Sequence, residues 1–127
     1  MSSIGIGLLV LLGVAGGDSE SEAAWLSEKV LNLRIFPDDE SRMNLSVLDI
    51  SGELMVVSQF TLLADCTKGR RPSFVKAATG DEAERLYETF VDVISGRGII
   101  VRTGVFGAMM DVAPVNSGPV TVVIDTP

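Results

Sequence analysis

The chain has 127 residues, of which 46% are hydrophobic and 21% charged, and its net charge is −7. This length is sufficient for one domain with a substantial core, and the composition excludes disordered and low-complexity classes. The sequence contains no histidine, which excludes Ser-His-Asp and Cys-His catalytic arrangements and His-ligated metal sites. The single cysteine, Cys66, can form neither an internal disulfide nor a cysteine zinc cluster, so a cytoplasmic location is expected.

The first half of the chain is predicted to contain a strand, a helix and two further strands. The apolar run Gly5–Val14 is too short for a membrane span, which needs about 20 residues, and no Lys or Arg precedes it as in a signal peptide. It predicts a central strand that is apolar on both faces. Ser19 and Glu22 have the spacing of a capping box and predict a helix that ends before Pro37. Two strands are then expected, at 46–50 and 52–63.

The second half is predicted to contain one helix followed by three strands. Apolar residues recur on one face of 81–95, and glycines after Ser95 are suited to end this helix. Three strands are expected in the mainly apolar segments at 99–103, 108–115 and 120–124. No internal repeat or linker is visible, so residues 1–127 are expected to form a single α+β domain with a substantial sheet.

Two polar stretches interrupt this apolar pattern. Ser58, Gln59 and Thr61 place hydrogen-bonding side chains at the end of an apolar strand, where buried polar groups need partners or a purpose. The alternative is a strand that simply leaves the core. The stretch Asn116–Pro119 is a turn signal, and it contains an X-Pro bond, where a cis peptide costs least. Its carbonyl oxygens could hold an ammonium group of a ligand, or it could be a plain turn.

A basic loop, Lys68–Lys76, contains four of the ten basic residues and no acidic residue. The acidic net charge argues against non-specific coating of nucleic acid. Within an acidic chain, however, such a loop is suited to dock an RNA end. A solvated run of charge explains the same composition. Cys66 is interpreted as structural, and Trp25 and Tyr87 as packing residues.

These stretches resemble the D-aminoacyl-tRNA deacylase family, also called D-tyrosyl-tRNA deacylases. Ser58–Leu62 is similar to the first signature of the family, and Asn116–Thr121 is similar to the second, a Gly-cis-Pro motif. The segments 68–74 and 104–110 lie between them in the same order as in the family. The similarity extends from about Gly5 to Ile124.

The resemblance implies a fold and an activity. The fold would have a largely antiparallel, barrel-like sheet and two main helices, and the N-terminal strand of the family is missing from this sequence. The activity would be hydrolysis of the ester of D-aminoacyl-tRNA, and of mischarged glycyl-tRNA, as chiral proofreading in translation. No metal or organic cofactor is implied. The partners would be the 3′ end of aminoacyl-tRNA and a second copy of the chain, with no DNA or membrane partner.

The resemblance also assigns roles to residues. Backbone N–H groups at Phe60 and Thr61 would form an oxyanion hole, and the 2′-hydroxyl of the tRNA would help to activate water. The cis Gly118–Pro119 peptide would enter the active site of the partner subunit and exclude L side chains. The residues implied fall into three groups: catalytic Ser58, Gln59, Phe60 and Thr61; the chiral filter Asn116, Gly118 and Pro119; and tRNA-binding Lys68, Arg70, Arg71, Ser73 and Phe74.

Two alternatives to an active editing enzyme are considered. One is a catalytically weak protein of the same fold that binds tRNA ends and lacks the N-terminal support of the family. The other is a sister deacylase that acts on an L-amino acid such as alanine. The Ser58–Thr61 motif disfavours the second alternative, because those relatives are expected to have a different first signature. A nucleophilic role for Thr61 is disfavoured as well, because no base is available beside it.

Overall fold

The computed structural model describes residues 2–127, and its core lies between two helices and a three-stranded sheet. The helices are α1 (Glu20–Asn32) and α2 (Gly80–Ser95). The strands are β1 (Gly7–Leu12), β2 (Phe36–Pro37), β3 (Met43–Leu45), β4 (Glu53–Ser58) and β5 (Val101–Thr103), and a short 3₁₀ helix covers Phe60–Leu63. The expected mixed domain of strands and two main helices is therefore confirmed.

The three-stranded sheet has the order β1-β4-β5, and both neighbouring pairs are parallel. The expectation of a largely antiparallel sheet is wrong for these strands, because each connection carries a helix that returns the chain to the same end of the sheet. The sheet is open, so no barrel is seen within residues 2–127. β4 is the central strand, and β1, which was predicted to be central, lies at an edge. Among the strands in residues 2–127, only β2, with two residues, and β3, with three, pair in antiparallel fashion.

The hydrophobic core joins the central strand to both helices. Leu54 and Val56 are fully buried and, being two residues apart, point to the same face of the sheet. They belong to one cluster with residues of α1 and α2, the largest of which are Leu31, Phe90 and Ile94. Burial of this face fixes the position of β4. It therefore also fixes the position of the residues that directly follow this strand.

The start of α1 confirms the predicted capping box. The backbone N–H of Ser19 donates to Glu22 at 2.7 Å, and the Ser19 hydroxyl caps the first turn in return. Hydrogen bonds from Ser19 lower the pKa of Glu22 to about 2. The helix ends at Asn32, a few residues before the predicted limit at Pro37, which lies in β2.

The strand predicted at 46–50 is a turn. The Ser46 N–H donates to the Asp49 carboxylate at 2.8 Å, and the Asp49 N–H donates to the Ser46 hydroxyl at 3.1 Å. These reciprocal bonds satisfy the backbone locally, which competes with pairing in a sheet. The strand predicted at 52–63 is also shorter, because the 3₁₀ helix begins at Phe60.

The C-terminal segment, residues 104–127, contains no strand, so the strands predicted at 108–115 and 120–124 are not observed. Beyond Ala108 the backbone makes no hydrogen bond to other backbone groups within the described chain. Most of this segment is exposed, and Phe106 and Ile124 are the side chains that pack against the core. A mainly apolar segment forms a strand only where a neighbouring strand accepts its hydrogen bonds, and none lies beside this segment in residues 2–127.

Candidate active site

The first candidate stretch, Ser58–Thr61, lies where β4 passes into the 3₁₀ helix. Val56 and Val57 are buried, Ser58 and Gln59 are half-buried, and Phe60 is exposed. The Gln59 N–H donates to the Leu12 carbonyl oxygen at 2.8 Å, which ties the turn to the end of β1. The Leu62 N–H donates back to the Gln59 carbonyl at 3.2 Å. The turn is therefore held at Gln59 and presents the next residues to solvent.

Two backbone amides in this turn have no acceptor. Among residues 2–127, the N–H groups of Phe60 and Thr61 donate no hydrogen bond, and the Gln59 side chain does not cap them. The Gln59 side-chain amide donates instead to the Thr61 hydroxyl. Two neighbouring free N–H groups are suited to stabilise an oxyanion. The Thr61 hydroxyl is occupied as an acceptor, and no basic side chain bonds to it in the described residues.

The basic loop lies beside this turn and is closed at its base. Asp65 and Ser73 exchange two backbone hydrogen bonds, at 2.7 and 2.9 Å. The Thr67 hydroxyl and N–H donate to the Asp65 carboxylate and lower its pKa. Gly69 has φ 67°, a conformation that favours glycine, at the tip of the loop. The closure presents the residues between Asp65 and Ser73 as one projecting loop.

Within the described residues, the cations of this loop form no ion pair, although Lys76 is close enough to Asp65 to help lower the pKa of that carboxyl group. The side chains of Lys68, Arg70, Arg71 and Lys76 are all on exposed residues. The ion pairs found in the part of the chain that the structure describes involve other arginines, namely Arg42, Arg85 and Arg97. Positive charge is therefore available to an anionic ligand on this side of the molecule.

An aromatic contact joins the first signature to the basic loop. The rings of Phe60 and Phe74 meet edge to face, with centroids 5.1 Å apart and an interplanar angle of 71°. Phe60 is 55% exposed and Phe74 is 36% exposed. The structure thus brings together the predicted catalytic stretch and the predicted tRNA-binding Ser73 and Phe74, although 12 or more residues separate them in sequence.

The second candidate stretch is a turn braced by Asn116. Its side-chain oxygen accepts from the Val120 N–H at 3.2 Å, and its side-chain amide donates to the Thr121 hydroxyl at 2.9 Å. The Gly118–Pro119 peptide bond is cis, as the resemblance implies, and Gly118 has φ 124°. A Cβ at Gly118 would lie 3.1 Å from the Val120 side chain, so glycine is required there on both counts. No hydrogen bond or aromatic contact joins this turn to Ser58–Thr61 within residues 2–127.

Other reactive side chains do not assemble into a site. Cys66 is exposed, Trp25 lies against the Lys29 ammonium, and Tyr87 is buried, where its hydroxyl donates to the Val56 carbonyl at 3.0 Å. Within the described chain, no three His, Cys, Asp or Glu residues are placed to hold a metal ion. Residues that sequence reasoning missed are Leu12 and Gly13 at the end of β1; the only signal for them was a glycine directly after an apolar strand.

Comparisons with known proteins identify the family of this chain. A family model described as D-Tyr-tRNA(Tyr) deacylase matches residues 1–125. A D-aminoacyl-tRNA deacylase from Geobacter sulfurreducens is 56% identical over 126 residues, which cover 99% of this chain and 83% of the relative. The chain therefore belongs to the D-Tyr-tRNA(Tyr) deacylase family.

Two further matches differ in their descriptions. A protein from Bacillus subtilis described as an inactive D-aminoacyl-tRNA deacylase is 54% identical over 126 residues, covering 99% of this chain and 96% of the relative. A solved structure described as c-Myc DNA Unwinding Element Binding Protein superposes with a TM-score of 0.93 at 38% identity, covering 100% of this chain and 87% of that one. Among residues 2–127, no helix is long and apolar enough to cross a membrane.

Proposed function

We propose that this chain hydrolyses the ester bond of D-aminoacyl-tRNA, releasing free tRNA and the D-amino acid, and that it also clears mischarged glycyl-tRNA. Water adds to the ester carbonyl carbon, the bond from that carbon to the ribose oxygen breaks, and the ribose oxygen leaves with a proton. The proposal rests on family membership and on one observation, the two free amides of Phe60 and Thr61 at the end of β4. It places the chain in chiral proofreading during translation, in the cytoplasm.

The free amides are proposed to form the oxyanion hole. Both N–H groups lack acceptors within the described residues, so they can bond the carbonyl oxygen as negative charge develops on it. Removal of one such donor typically costs about 3–4 kcal/mol, or a 10²–10³-fold loss in kcat. The 2′-hydroxyl of the tRNA is proposed to help activate water, because histidine is absent from the sequence. Gln59 and Thr61 are assigned positioning roles, because their side chains bond to each other.

Selection for D substrates is proposed to come from Gly118 and Pro119, with Asn116 as the brace. Carbonyl oxygens of this turn would hold the substrate ammonium group and leave no space for an L side chain, an example of specificity through steric exclusion. No hydrogen bond or aromatic contact joins the turn to Ser58–Thr61 within residues 2–127, which is consistent with insertion into a partner subunit. Exposed apolar side chains on the same segment, among them Val115 and Val123, would be covered in such a homodimer.

The basic loop is proposed to dock the 3′ end of the tRNA. Lys68, Arg70 and Arg71 would contact phosphates, and Ser73 and Phe74 would lie beside the first signature. The acidic net charge of −7 disfavours general binding to DNA, so the loop is proposed to act locally, on the tRNA end.

A second candidate is a protein of the same fold that binds the tRNA end but turns over weakly. One observation favours it: the Bacillus subtilis relative, 54% identical, is described as inactive. Binding without turnover would distinguish this candidate from the enzyme.

Hydrolysis of D-tyrosyl-tRNA beside L-tyrosyl-tRNA tests both candidates. Loss of the D ester alone supports the enzyme; equal loss of both esters contradicts the chiral filter; binding of tRNA with no hydrolysis selects the second candidate. A matched pair of variants tests the amide. Phe60→Pro removes the N–H and the ring, whereas Phe60→Ala removes only the ring, and the backbone of Gln59 (φ −141°, ψ 83°) is outside the α region that a following proline disfavours. We expect kcat of the proline variant to be about 10²–10³-fold below that of the alanine variant, and equal values would contradict the oxyanion hole.

A further inference from the structure

Gly13 lies where the end of β1 crosses the turn that carries the two free amides. A Cβ built on Gly13 would lie 2.5 Å from Leu63 Cδ2 and 3.3 Å from both the Gln59 carbonyl oxygen and Leu62 Cβ. Carbon atoms in favourable contact are about 3.5–4.0 Å apart. The absence of a side chain at Gly13 therefore allows residues 59–63 to pack directly on the strand end.

The end of β1 is the fixed partner in this contact. Leu12 and Val14, on either side of Gly13, are both buried. The next residues are tied to the chain after the basic loop, because the Gly16 N–H donates to the Lys76 carbonyl at 2.9 Å and the Ala78 N–H donates to the Val14 carbonyl at 2.9 Å. A methyl group added at Gly13 would consequently displace the turn rather than the strand.

The turn is the part that can move, and it moves with its amides. Phe60, Thr61 and Leu62 are exposed, so little packing opposes their displacement. The Leu63 contact is to the tip of a side chain, which can rotate, but the Gln59 contact is to backbone. The Gln59 carbonyl belongs to the peptide unit that also contains the N–H of Phe60. Pushing this oxygen therefore reorients one of the two free N–H groups directly.

We propose that Gly13 is a positioning residue for the reaction: its missing side chain sets the orientation of the Phe60 and Thr61 amides. This inference rests on the proposed function, in which those amides form the oxyanion hole. Gly13 touches no substrate in this scheme and acts only through the backbone of residues 59–63. Contacts of 3.3 Å require the turn to shift by a few tenths of an ångström. Because misplacement of a catalytic group by about 1 Å can cost about 100-fold in rate, this shift should produce a smaller but measurable loss.

The test compares Gly13→Ala with Gly80→Ala. Gly80 opens α2, and a Cβ built there meets nothing within 4 Å, so this variant controls for the loss of glycine. For Gly13→Ala on D-tyrosyl-tRNA we expect kcat to fall several-fold, to about 10-fold at most, with KM nearly unchanged because the basic loop is not touched. The double variant Gly13→Ala/Leu63→Ala removes the contact to the Leu63 side chain but keeps the contact to the Gln59 carbonyl oxygen, so most of the loss in kcat should persist.

Three results would overturn the inference: kcat of Gly13→Ala equal to that of Gly80→Ala, a loss explained entirely by a smaller folded fraction, or full recovery of kcat in the double variant, which would assign the loss to the Leu63 side chain. A second readout keeps the test separate from the proposed function. If the unmodified chain does not hydrolyse the ester, the proposed function fails on its own, and the backbone amide NMR resonances still decide the positioning. Shifts of the Phe60 and Thr61 resonances in Gly13→Ala, and none in Gly80→Ala, support it; unchanged resonances in both variants reject it.

Discussion

Removal of two cations from the basic loop should weaken tRNA binding in a salt-dependent way. The double variant Arg70→Ala/Arg71→Ala removes two of the four exposed cations of this loop, which form no ion pair in the described chain. Each contact to a single-stranded phosphate contributes a slope of about −0.7 to the dependence of log K on log salt. The three contacts proposed for Lys68, Arg70 and Arg71 give a slope of about −2.1, and the one that remains in the double variant gives about −0.7.

These slopes translate into a measurable difference. Between about 50 and 200 mM NaCl, the affinity of the unmodified chain should fall about 18-fold, whereas that of the double variant should fall only about 3-fold. Fluorescence anisotropy with uncharged, 3′-labelled tRNA measures both series without any contribution from catalysis. The apparent KM for D-tyrosyl-tRNA should rise at low salt in the variant.

A matched control separates local docking from net charge. Arg34→Ala/Arg42→Ala also removes two exposed arginines and changes the net charge by the same amount, but these lie beside Asn44 and Glu40, away from the loop. We expect the control to keep the slope of the unmodified chain. Docking by the basic loop would be refuted if both double variants had the same slope, or if neither differed from the unmodified chain.

Two further predictions concern the second signature and the first helix. Asn116→Ala removes both side-chain hydrogen bonds that brace the turn, so the ratio of kcat/KM for the D substrate to that for the L substrate should fall. Thr121→Val removes only one of these bonds and should lower the ratio less. An unchanged ratio in both variants would contradict the bracing role of Asn116. Glu22→Gln should lower thermal stability at neutral pH, because Ser19 lowers the pKa of Glu22 from 4.5 to about 2 in the folded chain. A carboxyl group whose pKa is lower in the folded state stabilises that state at pH values above its unfolded pKa. The difference in Tm between the unmodified chain and Glu22→Gln should therefore be largest above about pH 4.5 and should vanish as the pH falls to about 2. A difference that does not depend on pH would contradict this origin.

The helices could be predicted from the sequence because their signals are local. Ser19 and Glu22 fix the start of α1 through bonds within one turn, and the apolar face of α2 recurs at helical spacing. The parallel arrangement of the strands could not be predicted in this way, because it is not determined by local sequence. It follows from the two helical connections, which bring β4 and β5 back parallel to β1.

The failures at the strands share a physical cause. The apolar residues at 108–115 and 120–124 predict strands, but a strand also needs a neighbour, and residues 2–127 supply none beside this segment. At 46–50 the competing signal was visible in principle, since Ser and Asp three residues apart can bond each other's backbone. The pattern of side chains therefore favours a strand, but a strand forms only where a neighbouring strand provides hydrogen-bond partners.

The candidate site was predicted from resemblance because its proposed chemistry depends on backbone groups rather than on characteristic side chains. The groups that matter most in the proposed mechanism are the N–H groups of Phe60 and Thr61, and every non-proline residue has such a group. What distinguishes them is the lack of an acceptor, which depends on Gln59 bonding to Leu12 across the sheet edge. The contact between Phe60 and Phe74 likewise required the closure of the basic loop.

The titratable groups with shifted pKa values also lie outside the proposed catalytic stretch. The carboxyl groups whose pKa is lowered include Glu22, Asp38 and Asp49, and in each case the cause is a hydrogen bond within a cap or a turn. A search for perturbed acids and bases would therefore find structural groups and miss Ser58–Thr61. An aminoacyl ester is labile, and its own ribose hydroxyl can assist the attack of water. The proposed mechanism requires only that the protein orient two backbone amides and bind the tRNA end. A chain without histidine can do both.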